Sequence, residues 1–447
     1  MLVAVLALPG CHRTDGDTVS TDLHPTDLST ETGLAHSGTE TWEELLERAV
    51  YWGVPAVVTA RTVHDRAYNQ MLWPLALPDA ESGRGGAPNP DVLYAITSVD
   101  LRAEPLVVHT PDLYDRYWSV QMATFWTETF AYLGTRATGG MGGTYLLTPP
   151  GWEGTVPSGT TQIAVPSTQV VLLSRLQVRN RADLPAAQAA HNGFWARPLS
   201  DLDGTTPPPP SPVIPVTGMP DDTGRNGILF WDELGDVLVG SPPDIVEQPF
   251  LDSLAHLGIG PGLHPSSEVT DPELLDLLER VVEPAMDRVV ERVDYDDWDP
   301  ILEFGNFHGD WLYRAAAAWD GWITHRPEEG VYAVSPMMDA NHVYRVHFDQ
   351  EQLPPAGAFW SLTAYDEGRY LIANATDRYS VNSSDDNVVY NPDGSLDLVI
   401  APSYPGGPVQ DWIPTKEKGQ VYLMLRIYLP GDAVLDGTWK PPPIIAD

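Results

Sequence analysis

Proline and glycine set the strongest limit on what this chain can fold into. The sequence has 43 Pro and 38 Gly among 447 residues, which is almost one residue in five. Because both residue types interrupt helices and favour turns, this composition predicts many short strands separated by loops. Hydrophobic residues make up 43% of the chain, which is enough to build packed cores and argues against disorder throughout.

The charge balance excludes one large class of partner. The chain carries 62 Asp and Glu against 25 Lys and Arg, a net charge of −37. Such a surface repels phosphate backbones and anionic lipid headgroups, so we expect no nucleic-acid partner. Adaptation to salt, calcium binding and compositional drift would each explain the acidity, and we favour adaptation to salt.

The single cysteine, Cys11, ends a short apolar run that begins at Met1. This segment resembles a bacterial lipoprotein signal, in which Cys11 is lipidated and becomes the mature N-terminus. Two features depart from that pattern, since no basic residue precedes the run and Pro9 replaces a small or aliphatic residue. The alternative is a shortened secretory signal or a stray N-terminus, with a lone cysteine there by chance. The first interpretation predicts an exported protein of the bacterial cell envelope that meets the membrane only through a lipid anchor.

Composition and periodicity divide the chain into five segments. The run Thr205–Pro212 is rich in proline and marks the clearest internal boundary. We predict a mainly β protein with a helical connector, an α+β arrangement of two β-rich domains. The segments are a signal over 1–11, a disordered tether over 12–40, a β-rich domain over 41–204, a Pro-rich linker and helical connector over 205–329, and a β-rich domain over 330–447.

Helix signals are fewer than strand signals. Thr41 and Glu44 have the spacing of a capping box, and we expect that helix to end at Gly53 and Pro55. Other helices are predicted over 181–196, after Asp271-Pro272, and over 310–322. Strands are predicted over 92–99, 106–109, 118–125, 143–147, 162–166, 170–176, 344–348, 358–365, 396–400 and 420–428, with a turn at 391–395.

Motifs for catalysis, cofactors and metals are absent or weak. The sequence has no nucleophile elbow, zinc-protease motif, phosphate-binding loop or dinucleotide fingerprint, so we predict no cofactor. His342 and His347 fall on opposite faces of a predicted strand and cannot share an ion. We interpret Asp310, after His308, as a helix cap, and the cluster Asp294–Asp299 as a solvated turn, although calcium binding there stays open. We therefore predict no metal site.

Several stretches of the first β-rich segment resemble one family of unknown function. The run Ala87–Tyr94, which reads Ala-Pro-Asn-Pro-Asp-Val-Leu-Tyr, is similar to the signature of domain of unknown function 1254. Val92 stands where that signature usually has Thr. Further matches are Tyr51–Pro55, Pro111–Tyr117, Gln121, Phe130–Arg136 and Pro150–Trp152.

The last segment resembles the partner family, domain of unknown function 1214. The matches are Leu353–Asp366, Asp377–Tyr379, Asn391–Ser395 and Asp436–Pro442. The motif order is intact and covers nearly the whole folded chain. The resemblance implies two domains of β-sandwich or jelly-roll type joined by helices, in an exported bacterial protein, and it implies little about chemistry.

The N-terminal motif residues Asn89, Asp91, Tyr94, Tyr117 and Gln121 are polar or amphipathic and lie among apolar strand neighbours. Such side chains are costly to bury unless they bond to one another or to a ligand. We expect them to gather at one concave surface of the first domain. A turn held by Asx side chains, with tyrosines as core aromatics, is the structural alternative.

A second candidate set, in the C-terminal domain, consists of Trp360, Tyr365, Asn374, Arg378 and Tyr379. An arginine beside aromatics and an amide can clamp a carboxylate or a sugar. The same arginine can instead lock the two domains together, for instance by pairing with Asp366.

Two classes of function remain open from the sequence. The first is an envelope lipoprotein that binds a small polar or aromatic ligand in a cleft of the β domains. The second is a secreted hydrolase-type enzyme in which Asp91 is the acid or base and Tyr and Arg side chains stabilise charge. No clear nucleophile is present, which favours the first class. The ligand and the oligomeric state stay open.

Overall fold

The computed structural model describes residues 40–81, 86–209, 227–292, 298–305, 307 and 309–447. The predicted signal with Cys11, and all of the predicted tether except residue 40, lie outside the described residues. Residues 294–297 of the acidic turn and His308 lie outside them too.

The first β-rich region forms two sheets that pack face to face. Its strands are β1 (Val92–Asp100), β2 (Leu106–Thr110), β3 (Trp118–Thr124), β4 (Thr129–Gly134), β5 (Gly143–Thr148), β6 (Thr161–Ala164), β7 (Gln169–Gln177) and β8 (Trp195–Pro198). The strand orders are β1-β7-β3-β4 and β6-β5-β2-β8. Leu93 and Leu172 from the first sheet share one core with Leu106 and Leu147 from the second, so this region is a β-sandwich.

The C-terminal region repeats this arrangement with longer central strands. Its strands are β9 (Pro300–Ile301), β10 (Gly330–Val334), β11 (Met338–Asp339), β12 (Tyr344–Phe348), β13 (Ala356–Asp366), β14 (Ser380–Asn382), β15 (Leu396–Ala401), β16 (Trp412–Pro414), β17 (Gln420–Pro430) and β18 (Ile445–Ala446). One sheet has the order β14-β13-β17-β10-β9, with β11 also paired to β17, and the other has β16-β15-β12-β18. Val346 and Leu398 meet Leu423 and Leu425 in its core. The predicted mainly β architecture with two β-rich domains is confirmed.

Most helices lie at the start of the described chain or between the two sandwiches in sequence, while α2 lies between β7 and β8 and α9 follows β17. They are α1 (Trp42–Val63), α2 (Leu184–His191), α3 (Leu199–Asp203), α4 (Leu229–Gly240), α5 (Gln248–Leu254), α6 (Pro265–Glu268), α7 (Pro272–Glu291), α8 (Trp311–Gly321) and α9 (Asp432–Leu435). The predicted caps are present, because Asp271 accepts from Glu273 N at 2.9 Å and Asp310 accepts from Tyr313 N at 2.9 Å. None of the helices in the described part of the chain combines the length and hydrophobicity that a membrane span requires.

The predicted end of α1 is wrong. The capping box forms as expected, since Glu44 N donates to Thr41 Oγ1 at 3.2 Å, but the helix continues past Gly53 and Pro55 to Val63. Pro and Gly together cost an exposed helix roughly 4 kcal/mol. Here the helix is buried on most sides, and a Cβ at Gly53 would lie 2.9 Å from Leu234 Cδ2. Close packing against α4 therefore favours the glycine, and burial of the helix outweighs the low helix propensity of Gly53 and Pro55.

The predicted helix over 181–196 is also too long. A 3₁₀ turn over Arg181–Asp183 leads into α2, which ends at His191, and β8 begins at Trp195. The chain must turn at Gly193, where a Cβ would lie 2.8 Å from the Pro111 side chain. The predicted helix included Trp195 and Ala196, but these residues are extended because β8 pairs with β2.

Strand alternation explains why the outer faces of two sheets are also buried. In β1, Leu93 and Ala95 point into the first sandwich, so Tyr94 and Ile96 point to its outer face. In β17, Leu423, Leu425 and Ile427 point into the second sandwich. The residues between them, Met424, Arg426 and Tyr428, therefore occupy the outer face of that sheet.

Candidate functional site

A cavity of about 890 Å³ lies where these outer faces meet. Strands β1 and β7 of the first sandwich and β10 and β17 of the second contribute to its lining. Helices α1 and α8 contribute Val58, Thr62 and the segment Ala318–Gly321. The volume is within the range of roughly 300–1,000 Å³ that is usual for small-molecule sites.

Each sandwich supplies one arginine and one tyrosine from directly opposed strand positions. Tyr94 of β1 lies opposite Arg175 of β7, and Tyr332 of β10 lies opposite Arg426 of β17. All four side chains line the cavity. Antiparallel register therefore places an Arg-Tyr pair on each side of the same space.

Arg175 is 5% exposed and lies on a strand that is buried throughout its length. Its guanidinium donates to Gln121 Oε1 at 2.7 Å and to Ile323 O at 3.0 Å. It also lies over the ring of Tyr94, 5.8 Å from the centroid. Among the described residues no carboxylate forms an ion pair with it, although an arginine remains charged in any protein environment.

Arg426 is 3% exposed and has a similar environment on the other side. It donates to Ala87 O at 2.6 Å and to Thr363 Oγ1 at 3.4 Å, and it lies 5.4 Å from the ring centroid of Tyr365. It too makes no ion pair with a described carboxylate. Since a guanidinium has five N–H donors, each arginine keeps donors that these contacts do not use.

Three tyrosine hydroxyls in the cavity lining accept hydrogen bonds from the protein. Asn89 donates from its backbone N to Tyr94 at 3.4 Å and from Nδ2 to Tyr428 at 2.7 Å. Tyr332 accepts from the backbone N of His325 at 3.3 Å. Burial raises the pKa values of Tyr332 and Tyr428, so both remain protonated donors near neutral pH. Within the described chain, no protein acceptor takes the proton of any of the three.

A second group of polar side chains lies next to Tyr428, which is part of the cavity lining. Tyr117 donates to Glu329 Oε1 at 2.9 Å and lies 3.3 Å from His325 Nε2. Arg136 donates to Glu329 Oε2 at 2.6 Å. Burial, with the nearby positive charge of Arg175 and Arg136, lowers the pKa of His325 well below its ordinary value, whereas burial raises the pKa of Glu329. The rings of Tyr117 and His325 lie against Tyr428, with centroids 5.0 Å and 5.9 Å from its own.

The outer part of the cavity has acidic residues, but they are already paired. Asp320 forms an ion pair with Arg369, and Glu367 forms one with Lys416. Tyr370, which is 40% exposed, lies beside them at the opening. Exposed Arg66 also lines the cavity, and the buried part of the lining carries the guanidinium groups of Arg175 and Arg426, which form no ion pair with any described carboxylate.

The structure brings most of the N-terminal candidate residues to this site. Tyr94 lines the cavity. Asn89, Gln121 and Tyr117 do not line it but contact Tyr428 or Arg175, which do. Asp91 does not line the cavity. Its Oδ1 accepts from Ser380 Oγ at 2.8 Å and from Asn382 Nδ2 at 2.9 Å. Its Oδ2 is buried with no hydrogen-bond partner among the described residues, and burial raises the pKa of the carboxyl group.

The C-terminal candidate residues lie elsewhere. Trp360 stacks on Phe348 in the sandwich core, and Tyr365 donates to Pro88 O at 2.8 Å. Asn374 donates to Arg378 O at 2.8 Å, and Tyr379 donates to Asp377 at 2.7 Å. None of the five candidates lines the cavity.

The suggested pairing of Arg378 with Asp366 is wrong. The guanidinium of Arg378 donates to the carbonyl oxygens of Val409 and Gln410, which stabilises a loop of the same sandwich. In the folded loop these two carbonyl oxygens lie within hydrogen-bond reach of the guanidinium, so it bonds to them and not to Asp366.

Arg175, Arg426, Tyr332 and Tyr428 were missing from the candidates chosen from sequence. A signal for the arginines exists, because each is the only charged residue in a long apolar strand, within Val170–Leu176 and Val421–Tyr428. A strand buried on both faces has no solvent for a guanidinium, so a lone arginine there indicates an internal polar space. Among the described residues no group of three or more His, Cys, Asp or Glu side chains is arranged to hold a metal ion.

Fold and site together define a two-sandwich β protein with an arginine-lined cavity between its sheets. Family comparison gives residues 68–198 as "Protein of unknown function (DUF1254)" and residues 333–432 as "Protein of unknown function (DUF1214)". The chain therefore belongs to the proteins that carry these two domains in this order, as the sequence motifs indicated.

One solved structure shows the same fold. The VPA0106 protein from Vibrio parahaemolyticus is similar with a TM-score of 0.70 and 22% identity, over 91% of this chain and 99% of that one. A putative uncharacterized protein from Burkholderia cenocepacia has a TM-score of 0.46 and 13% identity, over 90% of this chain and 88% of that one. Comparison with curated proteins found no match.

Proposed function

We propose that this protein binds a small polar or aromatic molecule in the cavity between the two sandwiches. One observation carries the proposal, which is that Arg175 and Arg426 are buried at this cavity and form no ion pair with any carboxylate of the described residues. Burying an unpaired charge is costly, and proteins keep such groups where a ligand completes their contacts. Aromatic residues in the same lining, including Phe304 and Trp319, provide surface for an apolar body.

Binding is favoured over the hydrolase alternative by the position of Asp91. A general acid or base must come within hydrogen-bond reach of the reacting atom. Asp91 is outside the cavity lining, and one of its oxygens already accepts from Ser380 and Asn382. We therefore assign Asp91 to holding β1 against β14 and not to chemistry.

Export and lipid anchoring form the second part of the proposal. The apolar run before Cys11 supports an envelope lipoprotein. We expect the full chain to partition into the membrane fraction of its host and Cys11→Ser to move it to the soluble fraction. Identical soluble behaviour of both proteins would contradict the anchor without affecting the cavity.

Ligand binding is tested by purifying the full-length protein from its native host. The protein is denatured, and the released small molecules are identified by mass spectrometry. We expect at least one compound in stoichiometric amount from the wild type and its loss from Ile96→Trp, in which an indole enters the cavity from β1. Ile245→Trp is the control, because Ile245 is 80% exposed and lies outside the lining. Equal release from all three proteins would overturn the proposal.

A further inference from the structure

We infer that the cavity selects an organic dianion, whose negatively charged carboxylate or phosphate oxygens are held between Arg175 and Arg426. This inference rests on the proposed function and names the class of ligand. It comes from the charge balance, the donor balance and the apolar lining of the cavity.

The charge balance is the first step. The two guanidinium groups contribute two positive charges to the inner surface. The nearby acids already have partners, since Asp320 pairs with Arg369, Glu367 with Lys416 and Glu329 with Arg136. Asp91 lies behind Arg426, outside the lining, and its burial favours the neutral form. A ligand with two negative charges would neutralise these two buried arginines, for which the described part of the chain provides no ion-pair partner.

The donor balance is the second step. The inner surface offers the spare N–H groups of both arginines, together with the hydroxyls of Tyr94, Tyr332 and Tyr428, which accept from the protein and keep a proton to donate. A carboxylate or phosphate is acceptor-only when ionised, so it can take several of these donors at once. A neutral amide of the same shape carries no charge and would bring N–H donors toward the N–H and O–H donors of the arginines and tyrosines.

The apolar lining is the third step and argues for an organic molecule. Phe304, Trp319 and Trp322 line the same space as Ile96 and Leu173. An inorganic phosphate or sulfate would contact little of a cavity of about 890 Å³. An apolar or aromatic body that carries the charged groups fills more of the volume and gains from burial of its surface.

Four probes separate these features: terephthalate, phenyl phosphate, benzoate and terephthalamide. The first has two separated carboxylates, the second two charges on one group, the third one charge, and the fourth the shape of the first without charge. Binding to the full-length protein, freed of co-purified ligand, is measured by isothermal titration calorimetry at pH 8 and fixed salt. We expect a dianion to bind roughly 10- to 100-fold more tightly than benzoate, and terephthalamide more weakly still. Preference for terephthalate or for phenyl phosphate identifies the source of the oxygens as two carboxylates or one phosphate.

Variants connect that preference to the arginines. Arg175→Gln and Arg426→Gln should each weaken the better dianion by roughly 10- to 100-fold and leave benzoate much less affected. Arg116→Gln is the matched control, because Arg116 is equally buried but pairs with Asp183 away from the cavity. Where an arginine variant fails to fold, Tyr428→Phe removes one donor without a charge. Tyr344→Phe is its control, because the Tyr344 hydroxyl donates to Asp339 O at 3.0 Å outside the cavity lining.

Two results would overturn the inference. One is terephthalamide binding as tightly as terephthalate, and the other is no measurable binding of either dianion at millimolar concentration. Neither result decides the proposed function, which stands if a neutral compound is released from the wild type and not from Ile96→Trp.

Discussion

Asp91 is a buried carboxylate whose two oxygens have different surroundings, and this difference predicts the outcome of two substitutions. Oδ1 accepts from Ser380 Oγ at 2.8 Å and from Asn382 Nδ2 at 2.9 Å, whereas Oδ2 is buried with no partner in the described part of the chain. Asp91→Asn keeps an oxygen at the first position and removes a charge that burial disfavours. We expect its new N–H group to donate to the Ser361 hydroxyl, which has no partner among the described residues and lies close enough to affect the Asp91 pKa.

We expect Asp91→Asn to change the free energy of unfolding by about 1 kcal/mol or less. Asp91→Ala should lose about 2–4 kcal/mol, because two donors are left without their acceptor. Urea denaturation followed by tryptophan fluorescence measures both values, and the asparagine variant is the control for size. A loss in Asp91→Asn as large as in Asp91→Ala would show that the charge itself is needed. Loss of bound ligand from a folded Asp91→Asn would return the hydrolase alternative to consideration.

Three further predictions concern pH, backbone geometry and salt. Burial lowers the pKa of His325, so below its ordinary value of 6.5 the unfolded chain binds a proton that the folded protein does not. As the pH decreases, the free energy of unfolding of the wild type should therefore fall more steeply than that of His325→Gln, by up to about 1.4 kcal/mol per pH unit. Urea unfolding at a series of pH values measures both curves, and parallel curves would contradict this. Gly134→Ala should lose at least about 2 kcal/mol, because φ is +136° and a Cβ would lie 2.3 Å from Trp118 O. The control Gly151→Ala meets no neighbour within 4 Å and should lose less, so equal losses would refute the steric argument. With a net charge of −37, the melting temperature should rise from low to physiological NaCl, and a flat or falling curve would contradict charge repulsion.

The strands were largely predictable because their signal is local. Alternation and turn residues placed β1, β7, β13 and β17 to within a few residues at each end. The helix ends were less predictable, as α1 shows. Whether Gly53 ends a helix depends on whether a side chain of α4 packs against it, and that contact is 181 residues away in sequence.

The site was only partly predictable for a related reason. Tyr94, Asn89 and Gln121 were found because polar groups stand out among apolar strand residues. Trp360 and Arg378 stand out in the same way, yet one is in a core and the other holds a loop. The sequence shows that a buried polar side chain needs a partner. It does not show which side chains share a cavity, because that depends on how the sheet with β1 and β7 packs against the sheet with β10 and β17.

The central claim is that a molecule occupies the space between Arg175 and Arg426. The most direct measurement is a crystal structure of the full-length protein purified from its native host without added ligand. Our account predicts continuous non-protein density in the cavity, with oxygen atoms within hydrogen-bond distance of both guanidinium groups. Separate water-sized peaks, with both guanidinium groups hydrated and nothing bridging them, would contradict it.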